Sequence, residues 1–162
     1  MYKIYSGRAV GAQIYLWKIE FYWRIILKMD RISPEQRSQN MAQVKSKNTK
    51  PEMLVRSLLH RMGYRFRLHI KTLPGHPDVV LPRYKAVIFV HGCFWHGHEG
   101  CKRATMPATR TEFWRKKIDG NQSRDRRNLN ALEELGYRCL VIWQCEMKDI
   151  EALKMRLSEF LG

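Results

Sequence analysis

Residues 77–96 read PDVVLPRYKAVIFVHGCFWH: two short apolar runs around a four-residue turn, then a loop of histidine, cysteine and aromatic side chains. The runs Asp78–Leu81 and Ala86–Val90 flank Pro82-Arg83-Tyr84-Lys85, the pattern of a hairpin. A symmetric turn sets Leu81 against Ala86 and brings Asp78 beside Phe89 and Val90. Asp78 and the start of the following loop, His91 to Arg110, therefore arrive at one end of the sheet.

Outward from the hairpin, the elements alternate. Upstream, Thr49-Lys50-Pro51-Glu52 has the form of a capping box, and Leu54, Val55, Leu58, Leu59 and Met62 follow at helical spacing until Gly63. Tyr64, Phe66, Leu68 and Ile70 alternate with Arg65, Arg67 and His69, which predicts a half-buried strand. Downstream, one helix is predicted from about Thr111, with Phe113, Trp114 and Ile118 on one side. A second is predicted from about Ser123 to Leu135. Tyr137 to Gln144 reads as a buried strand, and Ile150, Leu153, Leu157 and Phe160 share a face of a last helix. This order argues for an α/β fold with a mixed sheet covered by helices.

The chain has 162 residues, suited to one compact domain, and 30 Lys and Arg against 15 Asp and Glu give a net charge of +15. Such an excess points to a polyanion, nucleic acid above all, because each neutralised phosphate releases condensed counterions. Attraction to anionic lipid is the competing reading. Ile14 to Met29 is apolar and aromatic but is interrupted by Lys18, Glu20, Arg24 and Lys28, so it offers no uncharged span for a bilayer. It reads as an amphipathic surface helix or as an extension upstream of a start at Met29. Three segments are expected: 1–28 as an N-terminal extension, 29–50 as a basic arm, loosely ordered until it meets a polyanion, and 51–162 as a single domain. No signal peptide is evident, and cysteine usage fits a reducing cytoplasm.

Cys93, His98 and Cys101 lie within nine residues of one loop. Zinc takes about four soft or borderline ligands, so a distant cysteine is needed to complete a tetrahedron. Cys139 lies inside an apolar strand and reads as a small hydrophobe; Cys145 lies where that strand ends and is the better ligand. Four protein ligands leave no open position, which makes the role structural. His96 remains an alternative to His98 on spacing alone.

A carboxylate at a strand end can hold a hard cation such as Mg²⁺, and Asp78 is placed for it, near His91 and His96, whose imidazoles can move protons. Glu52 is a further carboxylate, with the capping box as its competing role. Phe94 and Trp95 are either buried or act as wedges that unstack a base step.

His91-Gly-Cys-Phe-Trp-His96, with Leu73-Pro-Gly-His-Pro-Asp78 before it and Pro107-Ala-Thr-Arg-Thr-Glu-Phe-Trp114 after it, closely resembles the very short patch repair (Vsr) DNA mismatch endonucleases. The resemblance continues through Lys117-Ile118, Asn121, Arg124-Asp-Arg-Arg127, Glu134-Leu-Gly136 and Val141-Ile-Trp-Gln-Cys145. It implies a restriction-endonuclease-like fold with a structural zinc, and Mg²⁺-dependent nicking of duplex DNA 5′ of the T in T·G mismatches left by 5-methylcytosine deamination. It implies Asp78 as the metal-binding aspartate, His96 as the catalytic histidine, and His91 and Glu52 as assisting residues. It further implies Cys93, His98, Cys101 and Cys145 as zinc ligands, and Phe94, Trp95 and Met41 as wedges beside the mismatch.

A monomer in the bacterial cytoplasm, associated with the nucleoid, is expected, with functional links to a DNA cytosine methyltransferase and to mismatch-repair proteins. The family pattern differs here in one additional residue between His98 and Cys101. Val90 also stands where the family can have Thr and where a second Mg²⁺ contact is expected: harmless if that contact is the backbone carbonyl, costly if it is the hydroxyl. Ile88, Phe89 and Val90 supply no carboxylate or lysine of the restriction-enzyme kind, so histidine must take over part of the work. The competing functions are a restriction-type nuclease of other specificity and a non-catalytic zinc-stabilised DNA-binding module.

Overall fold

A computed structural model describes residues 33–42, 47–68 and 70–162. The extension 1–28 lies outside the described residues. In the basic arm, Pro34–Ala42 forms a helix, α1, where loose order was expected. Its start is a reciprocal cap: the Gln36 N–H donates to Ser33 Oγ and the Ser33 N–H to Gln36 Oε1, both at 3.2 Å, with proline in the first turn.

Helix α2 (Lys50–Arg61) begins at Thr49, whose hydroxyl oxygen accepts the Glu52 N–H, and buries Val55, Leu58 and Leu59. Gly63 follows at φ +85°, a left-handed position that suits glycine and ends the helix as the pattern predicts. Strand β1 (Val79–Leu81) pairs antiparallel with β2 (Ala86–His91) in the expected register, Leu81 opposite Ala86. On its other edge β2 pairs in parallel with β3 (Arg138–Trp143), from Ala86–Arg138 to His91–Trp143. The central strand is thus the one carrying the loop of histidines and cysteines.

Two expectations need correction. The described residues of 64–70 do not form a strand. Among them, only Arg67 bridges to Val80, through two 2.8 Å bonds. The same register sets Arg65 against Pro82, which has no N–H to donate, so the ladder does not extend in that direction. The two helices predicted over 111–135 are a single helix, α3 (Thr111–Glu134). Gly120 costs about 1 kcal/mol relative to alanine in a helix interior, too little to break a helix anchored by buried Trp114, Ile118 and Leu132.

Helix α4 (Ile150–Leu161) is capped by Asp149, whose carboxylate accepts the Ala152 N–H at 2.9 Å. Residues from α2 and α4 close one face of the sheet around Val79, Leu81, Ile88, Leu140 and Ile142. Leu132 of α3 closes the other, against Val80, Val87 and Phe89. The fold is therefore a small mixed three-stranded sheet between helices. No helix among the described residues is long and apolar enough to cross a membrane.

Candidate active site and metal centre

A cleft of about 1000 Å³ opens where β2 ends. Its walls come from the start of α2, the loop before β1, the loop after β2 and the inner side of α3. Asp78, His91, His96 and Glu52 all line it, together with Val90 and Trp95.

The Val90 N–H donates to Asp78 Oδ2 at 2.8 Å, closing the end of the hairpin. The register decides what the adjacent carbonyl does. Val80 spends its N–H and C=O on Arg67, so Val79 and Leu81 face β2, and Ile88 and Val90 face β1. The residue opposite Val90 is Pro77, which has no N–H. The Val90 carbonyl is therefore left without a partner from β1, on the side where Asp78 lies. Burial pushes the Asp78 carboxyl up to about 6, against the Val90 hydrogen bond; Glu52 adds to the rise, and the charges of Arg56 and His96 oppose it. A desolvated carboxylate beside a bare carbonyl is a donor set that fits a hard divalent cation.

His91 is buried, and its ring stacks on His96 with centroids 3.7 Å apart and planes within 12°. Burial pulls the His91 pKa down to about 4, helped by the charge of His96 and opposed by Asp125. It is neutral at physiological pH. His96 Nδ1 lies 2.6 Å from Asp125 Oδ2. Burial raises the Asp125 carboxyl, but its bond to His96 and the charges of His96, His91 and Arg124 outweigh that, and the net shift is downward. With Nδ1 held by the carboxylate, Nε2 is the ring nitrogen free to exchange a proton. The ligand atoms of His91, His96 and Asp125 lie within 4.8 Å of one another, but two nearly parallel ring planes keep their in-plane lone pairs from meeting at one point, so this trio suits proton transfer better than metal binding.

Asp125 was not singled out from the sequence. A signal was present: Trp114, Ile118, Asn121, Asp125, Asn128 and Leu132 recur at helical spacing, so Asp125 stands on the stripe that faces the sheet. The same stripe holds the loop in place. Asn121 Nδ2 donates to the Trp95 carbonyl at 2.7 Å, and Gln122 Nε2 to the Gly97 carbonyl at 3.1 Å.

Glu52 is not an open carboxylate. It accepts the Asn48 N–H at 2.8 Å, the Thr49 hydroxyl at 2.8 Å and Arg56 Nη2 at 2.9 Å. The capping and site readings of this residue are both compatible with its position.

Behind the cleft, the metal-ligating atoms of Cys93, His98, Cys101 and Cys145 lie within 4.8 Å of one another. His98 Nδ1 is 3.3 Å from Cys145 Sγ, and the His98 ring stacks on Trp143 at 4.1 Å. The loop folds back through bonds from the His98 N–H to the Cys93 carbonyl and from the Ala104 N–H to the Cys101 carbonyl, both 2.9 Å. Gly97 makes this possible: its φ is +60°, and a Cβ there would lie 2.5 Å from Gln122 Nε2. Gly100, at φ +69°, provides a second left-handed turn in the segment that carries the additional residue. Cys145 sits in the 3₁₀ turn Gln144–Lys148 directly after β3. Three thiols and an imidazole in a closed cluster fit a tetrahedral zinc with no open position.

His96, the alternative to His98, is engaged with Asp125 instead. Cys139 packs with the Val80–Phe89 core, and burial, with the charge of Glu133, pushes its thiol up to about 11.

Phe94 and Trp95 are half-buried and edge-on to each other at 5.1 Å. Both also meet Trp114, at 5.3 and 6.1 Å. Lys117 lies over the Trp95 ring at 5.9 Å. Met41 falls in α1, and its side chain lies outside the described residues.

Comparison with known proteins places these features. A family model described as DNA mismatch endonuclease Vsr matches residues 29–103. The type II nicking enzyme V.XorIIP of Xanthomonas oryzae pv. oryzae is 55% identical over 132 residues, covering 82% of this chain and 96% of that protein. The DNA mismatch endonuclease Vsr of Escherichia coli is 45% identical over 130 residues, covering 77% of this chain and 83% of that one. Among solved structures, the catalytic domain of the homing endonuclease I-Bth0305I is similar, with a TM-score of 0.50 and 26% identity over 70% of this chain and 94% of that chain.

Proposed function

The chain belongs to the Vsr family of DNA mismatch endonucleases, and from that premise we propose that it nicks duplex DNA 5′ of the T in T·G mismatches arising from 5-methylcytosine deamination, in an Mg²⁺-dependent reaction. The observation that carries the reading is the convergence, at the end of β2, of Asp78, the bare Val90 carbonyl and the His91–His96–Asp125 stack. Relatives named nicking enzymes support scission of one strand. The fold is read as restriction-endonuclease-like.

Asp78 and the Val90 carbonyl would hold Mg²⁺. When bound, it supplies positive charge that polarises the phosphodiester and favours hydroxide over water. A carbonyl contact makes Val at position 90 harmless. His96 exchanges a proton through Nε2 with the attacking or leaving oxygen, while Asp125 fixes its tautomer and ring plane. Neutral His91 packs under that ring and adds no charge to oppose its protonation. Glu52 assists from the wall of the cleft. Phe94, Trp95 and Met41 enter the base stack at the mismatch, where a weakened step opens at least cost. Cys93, His98, Cys101 and Cys145 would hold a structural zinc that fastens the wedge-bearing loop to the end of β3. The protein is read as a monomer of the bacterial cytoplasm and nucleoid, acting downstream of a DNA cytosine methyltransferase and alongside mismatch-repair proteins.

Mismatch selectivity is tested by nicking a T·G duplex and the matched T·A duplex of the same sequence side by side. The reading expects cutting of the first alone; equal cutting of both assigns a restriction-type specificity instead.

Two substitutions probe the parts. Asp125→Asn keeps the shape beside His96 but removes the charge and favours the wrong tautomer. Single-turnover nicking is expected to slow by about 100-fold, within the range for general acid–base groups, with DNA affinity unchanged. An unchanged rate would remove Asp125 from the site. Trp95→Ala is expected to reduce the binding preference for T·G over matched duplex by about tenfold, the order of one base-stacking contact. Competition binding measures it, and a preserved preference would count against insertion by Trp95.

A further inference from the structure

Glu52 and Arg56 form a buried ion pair, with 5% and 7% of their side chains exposed, one helical turn apart on α2. A buried pair of this kind is weak evidence for stability, since desolving two charges costs about as much as their attraction returns. A helix cap needs no arginine. What distinguishes the pair is what else it grips. The second arm of the guanidinium, Nη1, donates to Asn48 Oδ1 at 2.7 Å, while the Asn48 N–H donates to Glu52 Oε2 at 2.8 Å. Asn48 sits at φ +55°, where the chain turns from the arm into α2. Arg56 thus closes a ring through Asn48 and Glu52, using the fork geometry that lysine lacks.

We propose that Arg56 is a positioning residue of the nuclease site: it keeps the Glu52 carboxylate turned onto Asn48 and away from the cation position at Asp78. The inference rests on the metal-site reading of Asp78 above. Its logic is electrostatic as well as geometric. Glu52 and Arg56 act on Asp78 with opposite sign. Without the guanidinium, an unpaired buried carboxylate faces Asp78 across the cleft, and the two together attract a divalent ion more strongly but hold it in the wrong place. Arg56 therefore weakens cation binding while raising the rate.

The test uses the zinc-replete full chain and five forms: wild type, Arg56→Met, Arg56→Lys, Glu52→Gln, and the double variant Glu52→Gln/Arg56→Met. Mn²⁺ binding, followed by the loss of the free-ion electron paramagnetic resonance signal, needs no DNA. Arg56→Met is expected to bind Mn²⁺ several-fold tighter than wild type, and its single-turnover nicking rate at saturating DNA and metal to fall by about tenfold or more, one such factor being ~1.4 kcal/mol. Arg56→Lys restores the charge but not the fork, and should return Mn²⁺ affinity to wild type while recovering only part of the rate. In the Glu52→Gln background, Arg56→Met should add no further loss, because its target is already gone.

Wild-type Mn²⁺ affinity and rate in folded Arg56→Met would overturn the proposal and leave Arg56 a structural brace. Additive losses in the double variant would overturn it as well, by showing that Arg56 does not act through Glu52. If Arg56→Met alone fails to fold, the neutral double variant against Glu52→Gln carries the same comparison. Failure of wild type itself to nick with Mg²⁺ would reject the metal-site reading, and the DNA-free Mn²⁺ measurement would still judge Arg56.

Discussion

Replacing Asp78 with asparagine is expected to cut the nicking rate by at least about 10³-fold, some 4 kcal/mol of barrier, with DNA binding retained and the Mg²⁺-free protein made more stable. The stability gain follows from the raised carboxyl. Asp78 is held at about 6 in the fold against an ordinary 3.8, chiefly by burial. Below about pH 4 both the folded and unfolded chains carry it protonated, and the fold incurs no penalty. Between about 4 and 6 the unfolded chain ionises first, so the folded state loses stability as pH rises. Above 6 the loss is complete and amounts to about 1–3 kcal/mol. Asparagine can still accept the Val90 N–H and is never charged. The variant should therefore melt higher than wild type near pH 7.5 and at the same temperature near pH 4. Mg²⁺-free melting curves of wild type and variant, compared at each pH at equal zinc content, measure this; equal melting at pH 7.5 would show that the site stores no such strain. The same shift implies that Mg²⁺ must compete with a proton at Asp78, so metal affinity should fall as pH drops below about 6.

The second large effect is expected at the cysteine cluster. Cys145→Ala removes the one ligand that ties the loop after β2 to the end of β3. Wild type should carry about one zinc per chain and the variant much less, with a stability loss of at least about 3 kcal/mol, because binding a structural zinc contributes directly to folding. Cys139→Ala supplies the contrast. That thiol is a small hydrophobe in the Val80–Phe89 cluster, and its loss should cost about 1 kcal/mol with zinc content unchanged. Metal analysis and calorimetry on the pair separate a ligand from a core residue. Full zinc content in Cys145→Ala would remove Cys145 from the ligand set.

The hairpin was legible because its information is local: two apolar runs, a proline turn, and a period of two that fixes which residues face each other. The juxtaposition of Asp78 and Val90 followed from counting alone. The clustering of Cys93, His98, Cys101 and Cys145 was legible for a related reason, since the first three are close in sequence and only Cys145 had to be chosen, on the chemistry of its neighbours. Asp125 was harder. It lies 29 residues from His96, and its role depends on how α3 crosses the sheet. That crossing is a property of packing that no local pattern contains. The false strand at 64–70 shows the opposite case. Its alternation is kept in part, with Tyr64 and Phe66 turned inward and Leu68 exposed, but a strand needs a partner with N–H groups, and Pro82 withholds one. The predicted helix start at Ser123 failed because local propensity is weak against the burial of Trp114, Ile118 and Leu132.

The most direct test of the central claim is single-turnover cleavage of a 5′-labelled duplex carrying one T·G mismatch in a methyltransferase-type context, run with Mg²⁺ and with EDTA. The account predicts one nick immediately 5′ of the T, present with Mg²⁺ and absent with EDTA and from the matched duplex. Tight binding of the mismatched duplex with no cleavage in Mg²⁺ would contradict it and leave a DNA-binding module without catalysis.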